Sequence, residues 1–106
     1  MTAPTKYGLS GKMTAKPGKG KELAYILVQA SKLVSTAKGL HLYIVSVDAT
    51  NPDVIWIMEA WDSKEDHDLS LRLPGTKELI AQAMPLMDGK PEGTALEVLG
   101  GKGLGW

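Results

Sequence analysis

Three features of the 106-residue sequence predict a small α+β domain. Apolar residues recur at helical spacing from Leu23 to Ala37, two adjoining runs at residues 40–48 and 54–61 are apolar at nearly every position, and a second helical stretch is followed by a short final strand. In order they read strand, helix, strand, strand, helix, strand. Two such βαβ units in tandem are the split plan of ferredoxin-like domains, βαββαβ, with a four-stranded antiparallel sheet and helices on one face.

The first strand is residues 7–14, where Tyr7, Leu9 and Met13 alternate with small or polar neighbours. Gly11 interrupts that face and marks either a bulge or a close approach. After the turn Lys16-Pro17-Gly18-Lys19-Gly20, the stripe Leu23, Ile26, Leu27, Ala30, Leu33, Val34, Ala37 is wide enough to cover a sheet, and Gly39 is the expected stop. Asn51-Pro52-Asp53 joins the two apolar runs as a hairpin. Ser63, followed by Glu65 and Asp66, starts a helix reaching about Leu73. Pro74-Gly75 breaks it, Thr76 opens another helical segment that Pro85 ends, and residues 94–99 form the last strand.

A sheet with one wet face does not tolerate apolar residues at nearly every position. Both faces of the hairpin strands therefore meet something: the helices on one side and, on the other, the sheet of a second copy, giving a dimeric α+β barrel. The chain reads as one domain over residues 1–106, with an N-terminal arm at 1–6 and a flexible glycine-rich tail at 100–106.

Composition narrows the function classes. Apolar residues make up 43%, charged residues 23%, and the formal net charge is zero, as in a soluble globular protein. Residues 1–40 set Lys6, Lys12, Lys16, Lys19, Lys21, Lys32 and Lys38 against Glu22 alone, yet the lysines around the Pro-Gly turn have only Tyr25 nearby, so a nucleic-acid surface is not expected. There is no cysteine, which excludes disulfides, thiolate nucleophiles and cysteine-held metals. The two histidines, His41 and His67, are far apart and lack ligand-spaced companions, so no metal site is expected. No signal-like or membrane-spanning stretch is evident, and the expected compartment is the cytoplasm.

The stretch Glu59-Ala60-Trp61-Asp62-Ser63-Lys64-Glu65-Asp66-His67, with the element order and Pro85-Leu86 before the last loop, resembles the antibiotic biosynthesis monooxygenase family. The resemblance spans nearly the whole chain. It implies a homodimer and a pocket between sheet and helices, where an electron-rich aromatic such as a quinol or polyphenol reacts directly with O2, without cofactor or metal. Many family members carry a histidine nine or ten positions after this tryptophan. Here those positions hold Ser70 and Leu71, and the nearby imidazole is His67. The haem-degrading branch needs an asparagine on the first strand, and residues 7–14 contain none.

His67 is the candidate general base, because imidazole titrates near neutral pH; the bland alternative is an exposed helix histidine between Asp66 and Asp68. Trp61 either walls the pocket against the substrate ring or fills the core at the sheet's edge. Tyr43 and His41 share one alternation on their strand and Trp56 and Met58 share another, so register decides which of Tyr43, His41 and Trp56 meet substrate and which pack between subunits. A non-catalytic module that holds a small apolar ligand is the alternative function, and a structural partner for a different chain is a third.

Overall fold

In the computed structural model, which describes residues 5–103, the hydrophobic spacing resolves into β1 (Lys6–Thr14), α1 (Gly20–Leu33), β2 (Leu40–Val47), β3 (Val54–Trp61), α2 (Lys64–Ser70), α3 (Thr76–Ala83) with a 3₁₀ turn at Met84–Leu86, and β4 (Glu92–Val98). The strands form one antiparallel sheet in the order β2-β3-β1-β4, the ferredoxin-like arrangement. The outer portions of the expected arm and tail, residues 1–4 and 104–106, lie outside the described residues.

Period-two alternation sends Ile55, Ile57, Glu59 and Trp61 of β3 toward the helices, opposite Tyr7 to Met13 of β1 and Tyr43 to Val47 of β2. Leu23 and Leu27 of α1 bury themselves against Ile55 and Ile57, with Ala15 and Ala83 closing the cluster. The opposite face is apolar and open: Ile44 is 46% exposed, Trp56 40%, Met58 52% and Leu96 46%. Two-sided apolarity in β2 and β3 thus corresponds to one buried face and one uncovered face in the single chain.

Helix α1 has no side-chain cap of its own at Lys19. Its start is held from across the fold by Asp53 of the hairpin turn, whose two carboxylate oxygens accept from the Gly18 and Gly20 N–H groups at 3.1 and 2.9 Å. Gly20 lies so close to the Pro52 carbonyl that any Cβ there would collide with backbone. At α2, Ser63 caps as its sequence predicts, its Oγ accepting from the Asp66 N–H at 3.1 Å.

Several boundaries differ from the sequence expectation. Helix α1 ends at Leu33 rather than Ala37, and the chain continues through turns closed by Ser35 N–H to the Lys32 carbonyl and Ala37 N–H to the Val34 carbonyl. These turns keep Val34 buried, which is why the apolar spacing outlasts the helix. Gly39, at φ +82°, serves the entry to β2 instead of the helix end, and a Cβ there would fall on the Asp66 carboxylate. Helix α2 stops at Ser70, and β4 begins two residues earlier than expected, at Glu92. Gly11 makes no bulge, since it pairs in unbroken register with Ile57 and Gly93. The irregularity falls instead between Leu40 and Leu42, so His41 is an extra residue and does not share the alternation of Tyr43.

Candidate functional site

The end of β3 and the first turn of α2 build the polar part of the site. Glu59 and Trp61, two apart on one strand, project to the same side, and the Trp61 indole N–H donates to Glu59 Oε1 at 2.9 Å. Because Ser63 starts α2 immediately after the strand, His67 comes back over this pair. Its ring centre is 5.8 Å from that of Trp61 at 83°, an edge-on contact, and 5.6 Å from that of Tyr7. His67 Nε2 stands 4.0 Å from Glu59 Oε1, while Nδ1 is 2.9 Å from Asp68 Oδ1. The second Asp68 oxygen receives the Lys64 ammonium at 2.8 Å.

Glu59, His67 and Tyr43 line a cavity of about 510 Å³ between the sheet and the helices. Its remaining walls are mainly apolar: Ile26, Leu27, Ala30 and Leu33 of α1, Met13 and Ile57 of the sheet, and Leu79, Ala83, Met84 and Met87 of α3 and the turn after it. Ser70 and Leu71 also reach it, and Gly89, Lys90 and Pro91 of the loop before β4 line it too. This size and lining suit a small organic ligand held by apolar contact and oriented by a few polar groups.

Burial pushes the Glu59 carboxyl above the ordinary carboxylate range, opposed by the Trp61 N–H and by nearby His67. Burial, reinforced by the Glu59 charge, raises the Tyr43 phenol as well, so Tyr43 presents a protonated hydroxyl to the cavity at neutral pH. On the outer side, the hydrogen bond from Lys64, followed by that from His67, holds Asp68 below its usual value. An imidazole, a carboxyl whose pKa burial raises and a phenol O–H thus face one apolar space. The set offers hydrogen-bonding groups to a polar substituent of a ligand held otherwise by apolar contact.

The residues singled out in the sequence separate into three places. His67 and Tyr43 line the cavity, and the His67 side chain is only 14% exposed, unlike a free surface histidine. Trp61 is fully buried behind them, packing against His67 and holding Glu59. His41 sits at the bulge, with Nε2 2.6 Å from Asp62 Oδ1, the same oxygen that Lys6 Nζ approaches at 3.2 Å. Trp56 stands on the open face of the sheet, donating its indole N–H to Asp48 Oδ1 at 2.9 Å beneath the Lys12 ammonium. The structure therefore does not bring His41 or Trp56 into the cavity. Among the described residues no three His, Asp or Glu side chains gather as a metal site.

Glu59 and Ser70 were not among the residues selected from the sequence. Glu59 left a signal, as the one acid inside the apolar run of β3. Ser70 follows His67 by three positions on α2, so the two share a helix face, and His67 reaches from one turn earlier the cavity that Ser70 also lines.

Comparison with known proteins agrees with this fold. A Chloroflexus aurantiacus J-10-fl protein, provisionally assigned as an antibiotic biosynthesis monooxygenase, is 42% identical, with 94% of this chain and 99% of that one covered and a TM-score of 0.84. A Deinococcus radiodurans protein with the same provisional assignment is 27% identical over 87% of this chain and 91% of its own, with a TM-score of 0.76. A Nitrosomonas europaea structure matches at 0.85 with 12% identity, over 93% of this chain and 95% of that one, and shows the fold alone. No curated protein matches the sequence. The model of the antibiotic biosynthesis monooxygenase family matches residues 7–82, and with that span and the Chloroflexus likeness the chain belongs to this family.

Proposed function

We propose that the protein is a cofactor-independent monooxygenase that oxidises a quinol-like or polyphenolic aromatic with O2, working as a homodimer joined through the open sheet face. The observation that carries this reading is the convergence of His67, Glu59 and Tyr43 on one wall of an otherwise apolar cavity. His67 accepts a proton from a ring hydroxyl. Tyr43, whose hydroxyl keeps its proton, donates a hydrogen bond to the ring oxygen that loses its own, with the half-buried Glu59 carboxyl beside it. The resulting phenolate is electron-rich enough to pass an electron to O2, and the apolar walls keep bulk water from the intermediate.

The stoichiometry closes without another reductant. A quinol with a free ring C–H gives up its two hydroxyl hydrogens and gains one oxygen atom as a ring hydroxyl. The second oxygen atom leaves with those two hydrogens as water.

Aerobic incubation with a panel of reduced quinones and polyphenols, read with an oxygen electrode against the autoxidation rate, tests the reading. Uptake above autoxidation is expected for at least one compound. No uptake for any of them, with folded protein, removes it.

A second reading, a binding module without turnover, is favoured by Ser70 standing where many family members carry histidine. It predicts ligand-dependent thermal stabilisation by the same compounds with no oxygen consumed.

A further inference from the structure

The His67 ring lies between two carboxyl groups at unequal distance. Asp68 Oδ1 is 2.9 Å from Nδ1, within hydrogen-bond range, whereas Glu59 Oε1 is 4.0 Å from Nε2, beyond it, and already accepts the Trp61 N–H. A carboxylate has no proton to give, so an Nδ1 lone pair turned toward Asp68 would face negative charge with nothing between them. Asp68 is held in place by Lys64, one helical turn away, which ties up its other oxygen at 2.8 Å. The groups facing the imidazole are Tyr7 from β1, Glu59 and Trp61 from β3, and Asp68 from α2. Of these, only Asp68 makes a hydrogen bond to it.

We infer that Asp68, braced by Lys64, is a positioning residue that holds neutral His67 as the Nδ1–H tautomer, so that the Nε2 lone pair is presented to the cavity beside Glu59. In water neutral imidazole side chains favour the opposite tautomer, with the proton on Nε2, and in that form the cavity would meet a donor instead of an acceptor. Asp68 is not itself a cavity residue. It acts through the far nitrogen of the ring, as the outer carboxylate does for the histidine of hydrolase triads. The inference rests on the proposed role of His67 as a proton acceptor, but the tautomer can be read without any turnover.

The test is ¹⁵N–¹H long-range correlation NMR on the whole protein at about pH 8, above the usual imidazole range. The spectrum of H67Q assigns the His67 signals by their loss. The wild type is expected to show a protonated Nδ1 and an unprotonated Nε2, and D68A to move the proton to Nε2 while amide shifts far from α2 stay in place. A wild-type spectrum with the proton on Nε2 overturns the inference whether or not D68A folds, and so does a folded D68A variant with the wild-type tautomer. Oxygen uptake supplies the functional arm: kcat of D68A is expected to fall about tenfold or more with KM little changed. Wild-type kcat in a variant whose tautomer has switched removes the positioning role. If the tautomers behave as described but no quinol is consumed by the wild type, the proposed activity fails while the assignment of Asp68 stands.

Discussion

The Trp61 indole N–H donates to Glu59 Oε1 at 2.9 Å, and Trp61 itself is entirely withdrawn from solvent. The bond joins the largest fully buried side chain to the carboxyl of the cavity wall, so one residue serves both packing and site chemistry. W61F keeps most of the ring volume and deletes the donor. It is expected to cost about 1–3 kcal/mol, the penalty for an unsatisfied buried polar group. Urea unfolding measures it, and a loss within experimental error would mean that Glu59 does not depend on this bond.

Glu59 has a pH signature of its own. Burial holds its carboxyl above the unfolded-state value, so between the two values the folded chain binds more protons, and stability falls as pH rises through that interval. Asp48, Asp62 and Asp68, all lowered, act in the opposite sense: their contributions are present above the unfolded carboxylate range and are lost as pH falls. Comparing wild type with E59Q at each pH cancels those three. Because glutamine still offers an acceptor to Trp61, E59Q is expected to gain on the wild type as pH rises from about 4 toward neutrality. A difference that stays flat across pH contradicts the raised carboxyl.

H67Q removes the proton acceptor and keeps a polar side chain of comparable length. In the proposed reaction its kcat is expected to fall by about 10²–10⁴, the usual contribution of a general base. Oxygen uptake at saturating substrate checks this, and an unimpaired H67Q would transfer the role to another group.

At the other end of the sheet, D53A takes away both acceptors at the start of α1. A loss of about 1–2 kcal/mol is expected, as for a missing helix cap, although residue 53 lies 33 positions from Gly20. Thermal or urea unfolding reads it. A neutral D53A would show that backbone solvation replaces the cap.

M58E places a charge in the middle of the open face, where Met58 is flanked by Ile44 and Ser10 on the neighbouring strands. Light scattering is expected to give a dimer for the wild type and a monomer for M58E. A monomeric wild type would contradict pairing through the sheet.

Much of the fold was legible because it depends on periodicity. The stripe from Leu23 to Leu33 and the apolar hairpin strands define α1, β2 and β3 within a few residues, and the Ser63 cap places the start of α2. What local pattern could not show was register. A single extra residue at His41 separates it from Tyr43, so two residues that look equivalent on the strand end in different places: one in the cavity, one beside Asp62. The site was legible in part for the same reason. His67 was visible as an imidazole near the family-like motif, but its burial arises from Tyr7 and Trp61, which are distant or off-phase in sequence. Glu59 looked like a polar interruption until β3 alternation turned it inward, and the capping role of Asp53 spans two elements that no local window contains.

Strand order also sets a timetable. β2 and β3 are joined by residues 48–53 and can zip together as soon as both leave the ribosome, whereas β1, made first, borders β3 on one side and β4, made last, on the other. One edge of β1 therefore waits longest for a neighbour, and unpaired edges are where nascent chains stick to one another. That edge belongs to Lys-Tyr-Gly-Leu-Ser-Gly-Lys-Met-Thr, with a lysine at its start, another near its far end and two glycines between. The stickier sequences, Leu-His-Leu-Tyr-Ile-Val-Ser-Val and Val-Ile-Trp-Ile-Met-Glu-Ala-Trp, are the ones that find each other at once. The strand exposed longest during synthesis is thus less suited to aggregate than the two hairpin strands.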